Sequence, residues 1–233
     1  MIEAEWWEYD SLGELANAVA GDAGFIIESA VDARGSSLIA VPGGKTGPAI
    51  FPKLIAQTVP WKKVTVIPTD DRLVPMDDER SNIRAIGKAF LPTGARVIPI
   101  ATDISDYRLA GNSADARLQD FPWPPDLVWL GMGIDGHTAS IFTGPDFQEA
   151  LGAPKARRAI GVMPDPLPAE APIARVTLTR ASILAARTVM ITITGDEKRQ
   201  VLEQAIADGQ SSRLPIGRVL AEAEQPIDIH WAP

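Results

Sequence analysis

Residues 126–138 read Asp126-Leu127-Val128-Trp129-Leu130-Gly131-Met132-Gly133-Ile134-Asp135-Gly136-His137-Thr138, an apolar run that opens into a glycine-rich loop. A short apolar run bounded by turn residues predicts a strand that is buried on both faces. Such a strand is typical of a parallel sheet, and parallel sheets occur almost only in α/β proteins. The segment therefore predicts an α/β fold with a polar loop at the end of one central strand.

The same alternation of strands and helices continues along the chain in both directions. A capping box at Ser11 and Glu14 predicts a helix from residue 12 towards Val31, and Pro48 lies in the first turn of another. Further strands are predicted over residues 37–41, 64–68, 96–100, 175–178, 188–193 and 226–231, and further helices over residues 112–118, around Ser182 and over 196–207. Strands that alternate with helices predict a mostly parallel, Rossmann-like doubly wound sheet with helices on both faces. We expect residues 1–233 to form a single α/β domain.

The composition limits the function. The 233 residues carry a net charge of −8, contain no cysteine and include two histidines. The acidic charge argues against nucleic acid or an anionic membrane as partner. Without cysteine there is no thiolate nucleophile, and two histidines are too few for a typical zinc site, so we expect no cofactor. Because no signal peptide or membrane-length apolar run is seen, we expect a cytoplasmic location.

The loop Pro42-Gly43-Gly44-Lys45-Thr46-Gly47-Pro48 lies between a predicted strand and a predicted helix. Glycines and a helix amino terminus together favour phosphate binding, so Gly43, Gly44, Lys45 and Thr46 are candidate phosphate contacts. A nucleotide P-loop would need glycine at position 39, where the chain has Ile39. A plain turn before a helix stays open as the alternative.

Residues 131–136 match the dinucleotide pattern G-x-G-x-x-G, but the match is isolated. No strand ending in an acidic residue follows at the expected distance. The more informative residues are Asp135 and His137, because a carboxylate that orients an imidazole makes a general base for water. His230 falls in the predicted last strand, where we expect a structural role.

A third polar segment, Thr69-Asp70-Asp71-Arg72, follows another predicted strand, with Asn82 downstream. Asp70, Arg72 and Asn82 are candidates for binding sugar hydroxyls or a transition-state anion, although a solvated loop with internal ion pairs is the alternative. Arg175 and Lys198 are candidate phosphate cations, with ordinary surface residues as the alternative. Taken together, the segments predict metal-independent hydrolysis or isomerisation of a phosphorylated sugar.

Four motifs, in order, resemble those of the 6-phosphogluconolactonase family within the glucosamine/galactosamine-6-phosphate isomerase superfamily. They are the loop at 42–48, Asp70-Asp71-Arg72-x-Val74-Pro75 with Ser81-Asn82, residues 130–142, and Arg175-Val176-Thr177-Leu178 with Gly195-Asp196-Glu197-Lys198. The chain departs from the family pattern at Lys45, where the family has serine, and at Asp71, where it has glutamate.

The resemblance implies hydrolysis of 6-phosphoglucono-δ-lactone to 6-phosphogluconate in the oxidative pentose phosphate pathway. It implies that His137 activates water with support from Asp135, and that Arg72 stabilises the oxyanion. It also implies that the phosphate lies on the Gly43-Gly44 loop with Arg175 and Lys198.

Two other functions stay open. Glucosamine-6-phosphate deaminases share the phosphate loop and an Asp-Gly-His loop, but there an isoleucine and then Asn-Glu-Pro follow the histidine, where this chain has residues 138–145, Thr-Ala-Ser-Ile-Phe-Thr-Gly-Pro. A non-catalytic protein that binds a sugar phosphate is the other alternative. The expected partner is a small phosphosugar lactone, and we expect a monomer or a small homo-oligomer.

Overall fold

The central feature is a seven-stranded sheet in which every neighbouring pair is parallel. A computed structural model describes residues 2–101, 104–169 and 171–233. The strands are β1 (Ala4–Glu8), β2 (Ser37–Val41), β3 (Val64–Pro68), β5 (Arg96–Val97), β6 (Leu127–Leu130), β9 (Thr188–Thr194) and β10 (Ile227–Ala232), in the spatial order β1-β10-β9-β6-β2-β3-β5. The predicted mostly parallel sheet is confirmed.

A second, three-stranded antiparallel sheet was not predicted. It consists of β4 (Asp70–Arg72), β8 (Arg175–Leu178) and β7 (Ala159–Val162), in the order β4-β8-β7. The prediction of a loop over residues 69–72 was therefore wrong. The polar side chains of β4 lack the apolar pattern from which strands are predicted. The strand forms nevertheless, because pairing depends on backbone hydrogen bonds and not on side-chain polarity.

Eight helices connect the strands in the described ranges. They are α1 (Leu12–Arg34), α2 (Thr46–Ile55), α3 (Asn82–Phe90), α4 (Tyr107–Leu118), α5 (Phe147–Gly152), α6 (Arg180–Leu184), α7 (Asp196–Asp208) and α8 (Pro215–Leu220). Helix α1 begins at the predicted cap, since Ser11 Oγ accepts from the amide of Glu14 at 3.2 Å, and ends at Gly35 with φ of +80°. Helix α4 starts five residues before the predicted residue 112, because Asp106 caps it by accepting from Leu109. None of the described helices combines the length and apolarity needed to cross a membrane.

Apolar side chains cover both faces of the large sheet. On one face α1, α2 and α3 pack around fully buried Phe51, Phe90 and Trp129, whose rings meet edge to face. On the other face α4, α7 and α8 contribute Leu118, Leu202 and Val219. The indole Nε1 of Trp129 donates to Thr192 Oγ1 at 2.9 Å, so this buried polar group is satisfied. In parallel sheets that helices cover on both faces, ligands bind at the ends of the strands.

The strand order reverses between β2 and β6. From β2 the chain builds outward through β3 to β5, and then returns to place β6, β9 and β10 on the other side. In open parallel sheets ligands bind beyond the carboxyl ends of the strands at such a reversal. The segments that follow β2, β3, β6 and β9 all begin there, and together with Arg175 of β8 they hold the candidate site residues.

Candidate active site at the carboxyl edge of the sheet

The loop after β6 holds Asp135 and His137 as a hydrogen-bonded pair. Asp135 Oδ1 lies 2.5 Å from His137 Nδ1 and also accepts from the His137 amide at 3.2 Å. The loop closes through the Gly133 amide, which donates to the His137 carbonyl at 2.9 Å. A Cβ on Gly133 would lie 2.3 Å from the imidazole, so this glycine lets the ring fold back over the loop. The motif that resembles a dinucleotide loop therefore serves to position the Asp135–His137 pair.

The charges of this pair favour one tautomer. Burial raises the pKa of Asp135, but the hydrogen bond and charge of His137 outweigh it, and the net pKa is lowered. An ionised carboxylate can only accept, so the short contact assigns the imidazole proton to Nδ1. Nε2 then keeps its lone pair, and the side chain is 30% exposed. The lone pair at Nε2 can accept a proton from water, as a general base does.

Phe142 contacts two residues of the site. Its ring stacks on the His137 imidazole, with centroids 4.2 Å apart, and the guanidinium carbon of Arg175 lies 4.9 Å from its centroid. Phe142 falls within the motif at residues 130–142, but no role was predicted for it. The only signal in the sequence for this contact is that Phe142 follows His137 by five residues.

Arg175 is buried at the start of β8, with 3% of its surface exposed. Its Nη1 donates to Ser140 Oγ at 3.4 Å, and Ser140 Oγ in turn donates to Asp70 Oδ2 at 2.5 Å. Burial lowers the pKa of Arg175, and the charge of Asp70 partly offsets that effect. Asp70 is itself buried, so the structure places this predicted sugar contact behind Ser140, where it orients the cationic side of the site.

Arg72 and Asn82 connect the loops after β2 and β3. Arg72 Nη1 donates to Asn82 Oδ1 at 2.8 Å, and Asn82 Nδ2 donates to the carbonyl of Asp70 at 2.7 Å. A Cβ on Gly43 would lie 1.9 Å from Asn82 Cγ, so the close approach of these loops requires glycine at this position. Asn82 is buried, which makes it a support for Arg72 and for the Gly43 loop.

The Nε atoms of Arg72 and Arg175 are buried and have no hydrogen-bond partner within the described part of the chain. Buried donors of this kind are rare in proteins, because an unsatisfied polar group costs stability. At a site of this composition they are suited to an anionic ligand that accepts from both guanidinium groups.

Asp71 has a structural task that sequence analysis did not find. Its carboxylate accepts from the backbone amides of Asn82 at 2.6 Å and Ile83 at 3.0 Å, which caps α3. Burial raises the pKa of Asp71 to about 6, although these amide hydrogen bonds lower it. The aspartate that replaces the glutamate of the resembled motif thus holds the helix that carries Asn82.

The phosphate-loop candidates lie at the start of α2. Lys45 precedes Thr46, the first helical residue, and no side chain caps this helix. Lys198 lies in the first turn of α7, where burial lowers its pKa, the charge of Lys45 lowers it further, and Asp135 raises it. Both lysines lie at the starts of helices that follow strands of the large sheet, β2 and β9, at the same edge as the Asp135–His137 pair. The structure therefore brings the eleven predicted site residues to one edge of the sheet.

The second histidine lies apart, in β10. His230 is 1% exposed, and its Nδ1 lies 2.9 Å from the Tyr9 hydroxyl. Burial lowers its pKa to about 4, so it stays neutral inside the protein, in keeping with the predicted structural role. Among the described residues no group of three or more histidine and acidic side chains could hold a metal ion.

Comparisons with known proteins agree on one family. The family model for glucosamine-6-phosphate isomerases/6-phosphogluconolactonase matches residues 10–231. The 6-phosphogluconolactonase of Mesorhizobium japonicum is 37% identical, covering 98% of this chain and 95% of the relative, and that of Rhizobium meliloti is 36% identical, covering 97% of each.

Solved structures share the architecture. The crystal structure of a 6-phosphogluconolactonase from Shewanella baltica superposes with a TM-score of 0.91 at 30% identity over 100% of both chains. A monomeric glucosamine-6-phosphate deaminase superposes with a TM-score of 0.77 over 98% of this chain and 97% of its own. Its identity of 14% makes that likeness one of fold alone.

Proposed function

The chain belongs to the family of glucosamine-6-phosphate isomerases and 6-phosphogluconolactonases, and we propose that it opens 6-phosphoglucono-δ-lactone with water activated by His137. Its full-length relatives are 6-phosphogluconolactonases. It is accordingly an enzyme that hydrolyses a sugar-phosphate lactone in the pentose phosphate pathway. The observation that carries the proposed role of His137 is its contact with Asp135, which fixes the imidazole tautomer.

The reaction begins with water at the free Nε2 of His137. Nε2 takes one proton while the water oxygen attacks the lactone carbonyl, and the negative charge moves to the carbonyl oxygen. Asp135 stabilises the imidazolium through the 2.5 Å contact with Nδ1. When the intermediate collapses, the bond from the carbonyl carbon to the ring oxygen breaks and Nε2 returns its proton to that oxygen. The new carboxyl group then releases the second proton of the water to the solvent. The product is 6-phosphogluconate, and His137 is neutral again.

Arg72 is the proposed stabiliser of the oxyanion. Its Nη1 is held by Asn82 and by the carbonyl of Arg80, both at 2.8 Å, which fixes the plane of the guanidinium. Other N–H groups of the same side chain remain for the substrate, including the buried Nε. A preorganised cation of this kind stabilises the charge that develops on the carbonyl oxygen.

The phosphate of the substrate is proposed to bind opposite the pair. The uncapped start of α2, with Gly43, Gly44, Lys45 and Thr46, offers backbone amides and the positive end of the helix dipole. Lys198 and Arg175 supply the cations on the other side. When the phosphate is bound by these residues, the lactone ring lies between them and His137.

The proposed function also leads to expectations about the location, the oligomeric state and the partners of the protein. We expect residues 1–233 to act as one hydrolase domain in the cytoplasm, as a monomer or a small homo-oligomer, without nucleic acid as partner. The net charge of −8 supports the last expectation, because nucleic-acid binding needs a basic face.

The function is tested by acid release from freshly prepared 6-phosphoglucono-δ-lactone in buffer that contains a metal chelator. Hydrolysis faster than the spontaneous rate is expected, and the absence of acceleration would overturn the function. Ammonia release from glucosamine 6-phosphate, measured in parallel, is expected to be absent. Binding of 6-phosphogluconate without turnover would indicate a binding protein instead.

A further inference from the structure

A cavity lies at the amino ends of the central strands, on the edge of the sheet opposite the Asp135–His137 pair. Its volume is about 180 Å³. Its polar and apolar walls include Ser37 and Leu38 of β2, Thr65 of β3, Phe121 and Trp123 before β6, and Arg187 before β9. We call this space the amino-end cavity.

Two polar atoms at this cavity lack partners. Ser37 Oγ and Trp123 Nε1 are buried without a hydrogen bond within the described ranges, and Ser37 is 3% exposed. The same condition is found for the Nε atoms of Arg72 and Arg175, which border the proposed substrate site. Unsatisfied buried groups cost stability, and a ligand with acceptor atoms would satisfy both groups of the amino-end cavity.

The mouth of the amino-end cavity carries a net positive charge. Arg34 Nη2 lies 2.5 Å and Arg187 Nε 3.5 Å from Asp126 Oδ1, while Asp126 Oδ2 accepts from the amide of Leu38 at 2.9 Å. One carboxylate therefore faces two guanidinium groups. Two more guanidinium groups, those of Arg96 and Arg158, lie 5.1 Å and 4.4 Å from the ring centroids of Phe121 and Trp123, so the surroundings of the cavity are positive. The side chains of Arg34 and Arg187 are 39% and 49% exposed, so an incoming ligand can reach them.

These features select a ligand class. The indole and the guanidinium groups only donate hydrogen bonds, so the ligand must accept them. The positive surroundings match an anion, and the walls formed by Leu38, Phe121 and neighbouring prolines match an apolar body. A cavity of about 150 Å³ can hold benzene, so a volume of about 180 Å³ suits a ring of that size with a carboxylate.

We propose that the amino-end cavity binds a small aromatic monocarboxylate. Its carboxylate accepts from Ser37, Trp123 and Arg187, and its ring packs against Phe121 and Leu38. The site is separate from the lactone-hydrolysing site and does not depend on that function.

Benzoate is the probe, titrated into the ¹⁵N-labelled full chain. Its six tryptophans give six indole N–H signals, and Trp123→Phe assigns the one from Trp123. A saturable shift of that signal is expected, with a dissociation constant of about 1 mM for a ligand of this size. No shift of the Trp123 signal would overturn the proposal. Should Trp123→Phe not fold, conventional assignment of the wild-type spectrum identifies the signal.

Matched ligands and variants separate the ligand class from general binding. Benzyl alcohol and inorganic phosphate are expected to bind at least about tenfold more weakly than benzoate, because each lacks the charge or the ring. Ser37→Ala and Arg187→Gln are expected to weaken benzoate about tenfold, whereas the exposed control Lys155→Gln leaves it unchanged. Equal binding of phosphate, an unchanged affinity in both cavity variants, or displacement of benzoate by 6-phosphogluconate would each overturn the proposal.

Discussion

The imidazole of His137 lies against the phenyl ring of Phe142, with ring centroids 4.2 Å apart and planes inclined by 21°. The same ring lies 4.9 Å from the guanidinium carbon of Arg175. One apolar side chain thus contacts both the proposed base and a proposed phosphate cation. Because these contacts restrict both side chains, Phe142 positions the proposed base, His137, relative to the proposed phosphate cation, Arg175.

Replacing Phe142 by leucine is expected to lower kcat/KM for the lactone about tenfold, because a 1 Å displacement of a catalytic group costs at least that much. Both a lower kcat and a higher KM are expected, since His137 and Arg175 lose the same support. Steady-state acid release measures both constants. Phe25→Leu is the matched control, because Phe25 is 71% exposed on α1. An unchanged kcat in Phe142→Leu would leave the ring with a packing role only.

His137→Asn is expected to lower kcat by about 10²–10⁴-fold while 6-phosphogluconate still binds, because a general base acts mainly on the chemical step. Asp135→Asn is expected to lower kcat as well, since an amide that donates to Nδ1 would favour the opposite tautomer. Stopped-flow acid release and calorimetric binding of the product measure the two effects. Equal loss of binding and turnover in His137→Asn would contradict the role of base.

Gly43 and Gly44 offer a comparison between neighbouring glycines. A Cβ at position 43 would lie 1.9 Å from Asn82 Cγ, whereas a Cβ at position 44 meets nothing within 4 Å. Gly43→Ala should therefore displace Asn82 and with it Arg72, destabilise the protein by ~1–3 kcal/mol and lower kcat/KM at least about tenfold. Gly44→Ala has room for the added Cβ, so its stability is expected to match that of the wild type. Urea unfolding of both variants and lactone kinetics of Gly43→Ala measure these effects, and equal losses of stability would contradict the difference between the two glycines.

Much of the fold follows from local pattern. The five residues of β2, Ser37–Val41, are all buried, so their apolar run marked the strand at its observed ends. Asp135 and His137 were found for a similar reason, because two residues in one loop are neighbours whatever the tertiary structure. Helix α1 was found through its cap, where Ser11 and Glu14 interact locally.

The features that were missed depend on contacts between distant parts of the chain. β4 exists because Asp70–Arg72 pair with Arg175–Thr177, about a hundred residues away, and nothing in three polar residues predicts that partner. The cap that Asp71 provides joins β4 to α3 in the same way. The predicted strand over residues 96–100 was too long, since β5 ends at Val97 and proline at position 99 cannot donate to a ladder.

Lys198→Gln is expected to raise KM for the lactone about tenfold and to change kcat little, because a lost phosphate contact weakens ground state and transition state alike. Burial lowers the pKa of Lys198, and the charge of Lys45 lowers it further. A bound phosphate acts in the opposite direction, because an adjacent negative charge stabilises the ammonium. Lys53→Gln, on the exposed side of α2, is the control for a change of net charge. An unchanged KM in Lys198→Gln would contradict the phosphate contact.

The stability of the protein between pH 4 and pH 6 is expected to reflect two buried groups that act in opposite directions. Burial raises the pKa of Asp71 to about 6 from its ordinary value of 3.8, and burial lowers that of His230 to about 4 from 6.5. In this range folded Asp71 holds a proton that the unfolded chain releases, so its contribution to stability falls as the pH rises. The unfolded chain instead binds a proton at His230 that the folded protein excludes, so that contribution rises with pH.

Removing either group should expose the effect of the other. Each pH unit of the interval is worth ~1.4 kcal/mol, so relative to wild type Asp71→Asn should gain up to ~3 kcal/mol of unfolding free energy from pH 4 to pH 6, and His230→Gln should lose about as much. Asp22, whose Oδ2 lies 3.8 Å from His230 Nε2, and Tyr9 are unchanged in both variants. Urea unfolding followed by tryptophan fluorescence at pH 4, 5 and 6 measures the slopes. The difference between each variant and the wild type carries the test, because other carboxylates titrate in all three proteins and cancel. Parallel curves for the two variants would contradict the opposite signs and the buried titrations from which they follow.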